Sequence, residues 1–370
     1  MVLFGLFVLL LAAVAWFITE AHLSGDNLDR YDGGKRTPIN ADSPPSAAHH
    51  EVVGEMASFV SADSLPSGGS RLSAIRNAMD TMGDAADLEN LTRIETVAEG
   101  VPAEWIFAPN ADTSQRLLYI HGGAFTAGSP RSHRPITTAL ARRLGIAVLA
   151  IDYRLMPEAS RQDGIDDCRR AYRWIHTHGP GNYHRARRVF VAGDSAGGNL
   201  TLSLLSWIRD VGAPPVDAAV ALSPATDATF SSPSLRSNLE TDPMLGPPLK
   251  RVVEAPNALL LWFAWLSAKI SPAHPSVSPV RGDLQGLAPT LIHVSEAEIL
   301  RDDAYRYYYK ALEAGSPVTL ESWEHMVHVW HIFEPRLPEA HQALDHISRF
   351  LQPYLLSVPA APEPAAMAAG

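Results

Sequence analysis

The sequence predicts an α/β fold: a mostly parallel central sheet with helices on both faces and a helical cap. Three observations carry the prediction. Short apolar runs rich in β-branched residues alternate with amphipathic runs of helical spacing between about residues 117 and 351. One junction between such runs is Gly193-Asp194-Ser195-Ala196-Gly197, which leaves room only for a tight turn. The rhythm breaks over residues 225–272, a long segment between two strands that carries Trp262, Phe263 and Trp265 and reads as a helical lid.

The bulk properties agree with a large globular unit. A chain of 370 residues, 46% hydrophobic and 19% charged, is long enough for one elaborated domain or two modest ones. A net charge of −10, with no basic patch among aromatics, argues against nucleic acid as a partner. The single cysteine, Cys168, excludes an intrachain disulfide. It shares a helical face with Ile165, Tyr172 and Ile175 and reads as a small core residue.

Residues 1–19 contain no charged side chain and have about the length of a bilayer-crossing helix. An uncleaved membrane anchor is the favoured reading. A signal peptide, cleaved near Ala13-Val14-Ala15 to release a secreted or periplasmic protein, is the second. Residues 20–55, with scattered Gly, Pro, Asp and Asn, read as a linker. The α/β unit is expected over 56–355, with a cap from about 56–90 and 225–272. Residues 356–370, rich in Ala and Pro, read as a disordered tail.

Within the unit, helical spacing appears over 72–79 and strand-like alternation from about residue 92. Strands are expected over 117–120, 146–151, 189–192, 218–222, 290–294 and 318–321. Helices are expected over 136–144, 164–176, 198–210, 303–314 and 338–351. In a sheet of this kind, sites form beyond the carboxyl ends of the strands.

The 189–210 stretch has a mechanical logic. A serine hydroxyl is a weak nucleophile unless a base takes its proton and its side chain stands clear of the backbone. A sharp strand-to-helix turn lifts Ser195 above the sheet, and Gly193 and Gly197 lack the Cβ atoms that would collide there. The same turn opens a helix, so the Ala196 N–H faces any developing oxyanion. Strand 117–120 runs into His121-Gly122-Gly123-Ala124-Phe125, whose glycines let backbone N–H groups turn inward as further donors. The run His325-Met326-Val327-His328-Val329-Trp330-His331 offers a base, or a metal cluster of His325, His328 and His331.

His121-Gly122-Gly123-Ala124-Phe125, Asp152-Tyr153-Arg154-Leu155-Met156-Pro157-Glu158 and Gly193-Asp194-Ser195-Ala196-Gly197-Gly198 together resemble the signatures of the hormone-sensitive-lipase-like esterases. These are the bacterial family IV enzymes of the α/β-hydrolase superfamily, and the likeness spans roughly residues 90–355. The layout with an N-terminal anchor resembles arylacetamide deacetylases. The resemblance implies a carboxylester hydrolase with no cofactor and no metal, acting on a small-molecule ester. It assigns Ser195 as nucleophile, His328 as base, Glu298 as acid, and the N–H groups of Gly122, Gly123 and Ala196 as the oxyanion hole. Ala124 stands where many members have a third glycine. Glu298 stands where most relatives have aspartate, with Asp302 and Glu296 as the other candidates and Asp302 also explicable as a helix N-cap. Asp152 and Arg154, following a strand, read as a buried supporting pair with Glu158 nearby. The same scaffold without catalysis, as a small-ligand receptor, and a metal-dependent hydrolase using the histidine cluster are the alternatives.

Overall fold

The computed structural model describes residues 2–60, 70–334 and 336–356. Helix α1 (Val2–Ile18) passes into a π-helical turn, Thr19–Leu23, and an irregular arm leads to α2 (Ala47–Val60) and α3 (Arg71–Gly83). The sheet begins with β1 (Thr92–Ala98), β2 (Val101–Phe107) and β3 (Asp112–Ile120), followed by α4 (Arg134–Leu144), β4 (Ile146–Ile151) and α5 (Arg161–Ile175). A two-residue ribbon, β5 (His178–Gly179) with β6 (Asn182–Tyr183), precedes β7 (Arg188–Asp194), α6 (Ala196–Val211) and β8 (Ala218–Leu222). Three helices interrupt the alternation: α7 (Ser234–Ser237), α8 (Gly246–Val253) and α9 (Asn257–Ala268). The chain closes with β9 (Thr290–Ser295), α10 (Arg301–Glu313), β10 (Val318–Trp323) and α11 (Pro338–Leu351).

Eight strands form one sheet in the order β1-β2-β4-β3-β7-β8-β9-β10. β1 and β2 pair antiparallel with their neighbours, and every pair from β4 to β10 is parallel. Strands β4 and β8 are buried along their whole length, which is why they read as continuous apolar runs rather than alternating ones. One face packs under α5, α6 and α10 through Ile165, Tyr172, Leu200, Leu204 and Tyr307. The other packs under α4 and α11 through Ile136, Leu140, Leu344 and Ile347. Cys168 lies in the first of these layers, buried as its spacing implied. Helix α5 opens with a capping box in which Ser160 and Asp163 exchange hydrogen bonds, which sets its start ahead of the apolar stripe.

The N-terminal segment corrects two expectations. No helix among the described residues is long and apolar enough to cross a membrane, so the anchor over residues 1–19, and with it the membrane localisation, is not supported. Helix α1 has 17 residues, a rise of about 26 Å against a hydrocarbon core of about 30 Å. At Thr19 the backbone changes to the π-helical turn, and Thr19 and Leu23 are buried. Trp262 Nε1 of α9 donates to Thr19 Oγ1 at 2.9 Å, and Trp262 and Trp265 stack edge to face. Trp262 and Trp265 therefore pack against the N-terminal segment through Thr19 and His22, whereas Phe263 is exposed.

The stretch read as a linker is strapped to the body instead. Ile39 forms a parallel bridge with Trp323 at the edge of β10, its N–H donating to Ser322 O at 2.8 Å. Arg306 donates to the Asp32 carboxylate at 2.5 and 2.8 Å, and Ser46 donates twice to Glu339 at 2.9 Å. These contacts link positions far apart in sequence, so no local pattern announced them. The tail beyond residue 356 and the cap residues 61–69 lie outside the described residues.

Candidate active site

Four loops converge beyond the carboxyl ends of β3, β7, β9 and β10. Ser195 follows β7 directly, with φ 52° and ψ −114°, a conformation that L side chains rarely adopt. The turn exists because its glycines permit it. A Cβ on Gly197 would lie 1.9 Å from Ile120 O, and one on Gly193 would lie 2.5 Å from Gly197 O. The Ser195 N–H donates to Leu222 O at 2.7 Å, which ties the turn to β8.

Ser195 Oγ lies 2.9 Å from His328 Nε2, and His328 Nδ1 lies 2.5 Å from Glu298 Oε2. His328 and Glu298 are both buried, and Ser195 is half-buried. A carboxylate at Nδ1 fixes the tautomer: Nδ1–H donates to Glu298, leaving Nε2 to accept from the serine hydroxyl. The second Glu298 oxygen accepts from the Ser295 N–H at 2.7 Å, so the carboxylate is held at both ends. Burial alone lowers the His328 pKa, but the hydrogen bond and charge of Glu298 outweigh it and hold the imidazole above its ordinary value. Ser295 Oγ donates to Met326 O at 2.6 Å, linking the acid-bearing strand to the histidine-bearing loop.

The other acid candidates sit elsewhere. Asp302 accepts from the Ser234 N–H and from Arg36 and Arg301, all at 2.9 Å, and Glu296 accepts from the Tyr305 hydroxyl at 2.7 Å. The three histidines do not converge either. His325 is exposed, while His331 is buried against His293 at 3.0 Å. Among the described residues no three His, Cys, Asp or Glu side chains gather as a metal site.

The glycine loop after β3 differs from expectation at one position. The Gly122 N–H donates to Asp194 Oδ1 at 3.1 Å, so it is not free to meet an oxyanion. Asp194 also accepts from Tyr119 at 2.7 Å and from His133 Nε2 at 3.2 Å. Burial pushes the Asp194 carboxyl up, but His133 and the Tyr119 hydroxyl hold it below the usual carboxylate range. His121 is kept neutral, its pKa lowered to about 3 by burial and by His133, and its Nδ1–H donates to Gly122 O at 2.7 Å. With Gly122 fixed, the backbone turns at Gly123 (φ 114°) and Ala124 (φ 53°). Neither of their N–H groups meets an acceptor among the described residues. Ala196 opens α6, so its N–H has no intrahelical acceptor. Ala124 was legible only as a departure from a glycine pattern, and the buried anchor at Asp194 carried no sequence signal of its own.

The supporting residues also rearrange. Arg154 pairs with Asp167 at 2.8 Å and not with Asp152. Glu158 pairs with Arg76 of α3 at 2.8 Å, and Arg76 also donates to Thr126 O, which lays α3 over the glycine loop. Asn199, part of a glycosylation sequon, is buried between Arg161, Ala225 O and Val277 O, which leaves no room for a glycan.

An alpha/beta hydrolase fold family matches residues 117–332. An acetyl-hydrolase of Streptomyces hygroscopicus is 40% identical over 253 residues, 68% of this chain and 79% of its own. The esterase LipU of Mycobacterium tuberculosis is 32% identical over 275 residues, 74% of this chain and 88% of its own. The crystal structure of an esterase from the bacterial hormone-sensitive lipase family superposes with a TM-score of 0.73 at 34% identity, covering 84% of this chain and 99% of that one. Fold, loop placement and these likenesses agree: the chain belongs to the hormone-sensitive-lipase branch of the α/β-hydrolases and is a carboxylic ester hydrolase.

Proposed function

We propose that the chain is a serine carboxylesterase that hydrolyses short- to medium-chain acyl esters through an acyl-enzyme. One observation carries the reading: the continuous contact from Ser195 Oγ through His328 to Glu298, at 2.9 and 2.5 Å. In the first step His328 Nε2 takes the hydroxyl proton as Ser195 Oγ bonds to the acyl carbon, and the carbonyl electron pair moves onto its oxygen. The N–H groups of Gly123, Ala124 and Ala196 receive that oxyanion, with Ala124 replacing Gly122 in the set. Each such donor is worth about 2.7–4 kcal/mol of barrier in comparable sites. His328 then gives its proton to the leaving alkoxide, and the C–O bond breaks. Water, deprotonated by the same nitrogen, releases the acid and restores Ser195. Glu298 holds the imidazole in the required tautomer and stabilises it when charged.

Helices α2 and α3, with the insertion carrying α7, α8 and α9, form the cap of this reading. The acetyl-hydrolase relative supports a short acyl group. The test is reaction of the purified protein with a fluorophosphonate, mass mapping of the adduct, and a p-nitrophenyl ester series. We expect the adduct on Ser195 and turnover that falls as the acyl chain lengthens. Retained activity in Ser195→Ala, or an adduct elsewhere, sinks the proposal.

A further inference from the structure

We infer that Arg36, on the N-terminal arm, is a positioning residue for the turn that carries Glu298. The inference rests on the assignment of Glu298 as the acid partner of His328.

The turn from Ser295 to Asp302 holds three carboxylates. Glu298 points inward to His328, whereas Glu296 and Asp302 flank it on the arm side. Arg36 spans both flanks: one guanidinium nitrogen donates to Asp302 Oδ1 at 2.9 Å, and another lies 3.7 Å from Glu296 Oε2. Its planar head lies over the Tyr305 ring at 4.8 Å, and the Tyr305 hydroxyl donates to Glu296 at 2.7 Å and accepts from the Ser322 hydroxyl at 3.0 Å. The arm itself is fixed on either side of Arg36, by the Tyr309 hydroxyl on Lys35 O at 3.0 Å and by the Ile39 bridge to β10. One cation from a distant segment thus fastens both ends of the turn.

The other charged groups here define what its loss does. Arg301 donates to Asp302, and the Asp242 carboxylate accepts from the Ile299 N–H at 3.0 Å. Glu296 has no cation against it other than Arg36 among the described residues. On the far side His328 faces Glu298, Asp242 and Asp194 as charges, with His331 nearby. Removing Arg36 takes from Glu296 its one cation among the described residues and leaves an uncompensated negative field beside the site. That end of the turn is then left to the Tyr305 hydroxyl, the Asn238 amide on Glu296 O and the Glu296 N–H on Trp323 O. Loss of Glu298 alignment slows the chemical step, since misplacement of about 1 Å can cost as much as 10²-fold. The added negative field favours the imidazolium, so the acidic limb of the rate profile moves to higher pH.

The experiment compares wild type, Arg36→Met and Arg36→Lys in the full chain, with kcat, KM, pH profile and melting temperature on one short-chain ester. Arg36→Met is expected to lower kcat by about tenfold, leave KM nearly unchanged and raise the acidic limb by a few tenths of a pH unit. Arg36→Lys keeps the charge but not the two-armed planar contact, so its kcat falls between the two while its limb stays at the wild-type position. Wild-type kcat and limb in Arg36→Met overturn the inference. So does a lower kcat with no limb shift that scales only with a lower melting temperature. If Arg36→Met does not fold, an Arg36→Lys variant with wild-type kcat overturns it. Fluorophosphonate labelling of Ser195 in each preparation keeps the two questions apart: failure in wild type removes the triad assignment itself, whereas normal labelling with an unaffected Arg36→Met removes only the role of Arg36.

Discussion

The Gly122 N–H donates to the buried Asp194 carboxylate at 3.1 Å, so the residue before Ser195 anchors the loop that faces Ser195. Asp194 joins two strand ends, and Tyr119 and His133 complete its shell. In Asp194→Ala three buried donors lose their acceptor at once. We expect a loss of about 3–5 kcal/mol of stability, read from the denaturant midpoint. The part that still folds should show a reduced kcat, because Gly123 and Ala124 are no longer aimed.

Glu298→Gln separates tautomer control from burial. An amide can still accept from the Ser295 N–H but no longer selects the Nδ1–H form of His328. A kcat reduction on the order of 10⁴ follows if it behaves like other triads. The sign of the pH effect is fixed by the cause of the shift. Glu298 raises the His328 pKa against burial, and activity needs neutral imidazole. Removing the charge should move the acidic limb of the residual rate to lower pH, and an unmoved limb counts against Glu298.

Gly197→Ala tests the elbow by sterics alone. Its Cβ would meet Ile120 O at 1.9 Å and His121 O at 2.6 Å, both backbone atoms that cannot swing away. The expected result is destabilisation of about 3 kcal/mol or more with loss of activity. A variant that melts like wild type contradicts the packing of the turn against β3.

Asp303 predicts a pH-dependent stability. Its carboxyl is pushed up to about 7 by burial and by the neighbouring Asp227, from an ordinary value of 3.8. Between those values the folded state keeps a proton that the unfolded chain has released. This contribution to stability is therefore full below about pH 4 and fades as pH rises to about 7. In Asp303→Asn the side-chain oxygen can still accept from the Thr226 and Asp227 N–H groups, so that slope should vanish. Melting temperatures of both proteins across this range, compared as a difference, provide the check.

Where residues that act together lie close in sequence, the chain could be read directly. The strands over 146–151 and 218–222 and the helix over 338–351 have the expected limits, because continuous apolar runs and a 3.6-residue stripe need no long-range information. The positions of Ser195, His328 and Glu298 followed from short motifs, and the structure brings the three together. What stayed hidden depends on partners hundreds of residues away. Arg36 meets Asp302 across 266 positions, and Arg306 meets Asp32 across 274. Gly122 and Gly123 look alike in sequence, and only the buried Asp194 decides which N–H is left over. The apolar run of α1 matched a membrane span in composition, but its length and the turn at Thr19 tell against one.

The Ile39 bridge also bears on how the molecule can be handled. β10 is the last strand of the sheet, and an open strand edge is a template for pairing with other chains. Ile39 accepts from the Glu324 N–H at 3.0 Å and donates to Ser322 O, occupying part of that edge. A shortened form made to remove the apolar α1 should therefore begin well before Ile39. Cutting beyond it would trade one sticky helix for an unguarded strand and invite self-association.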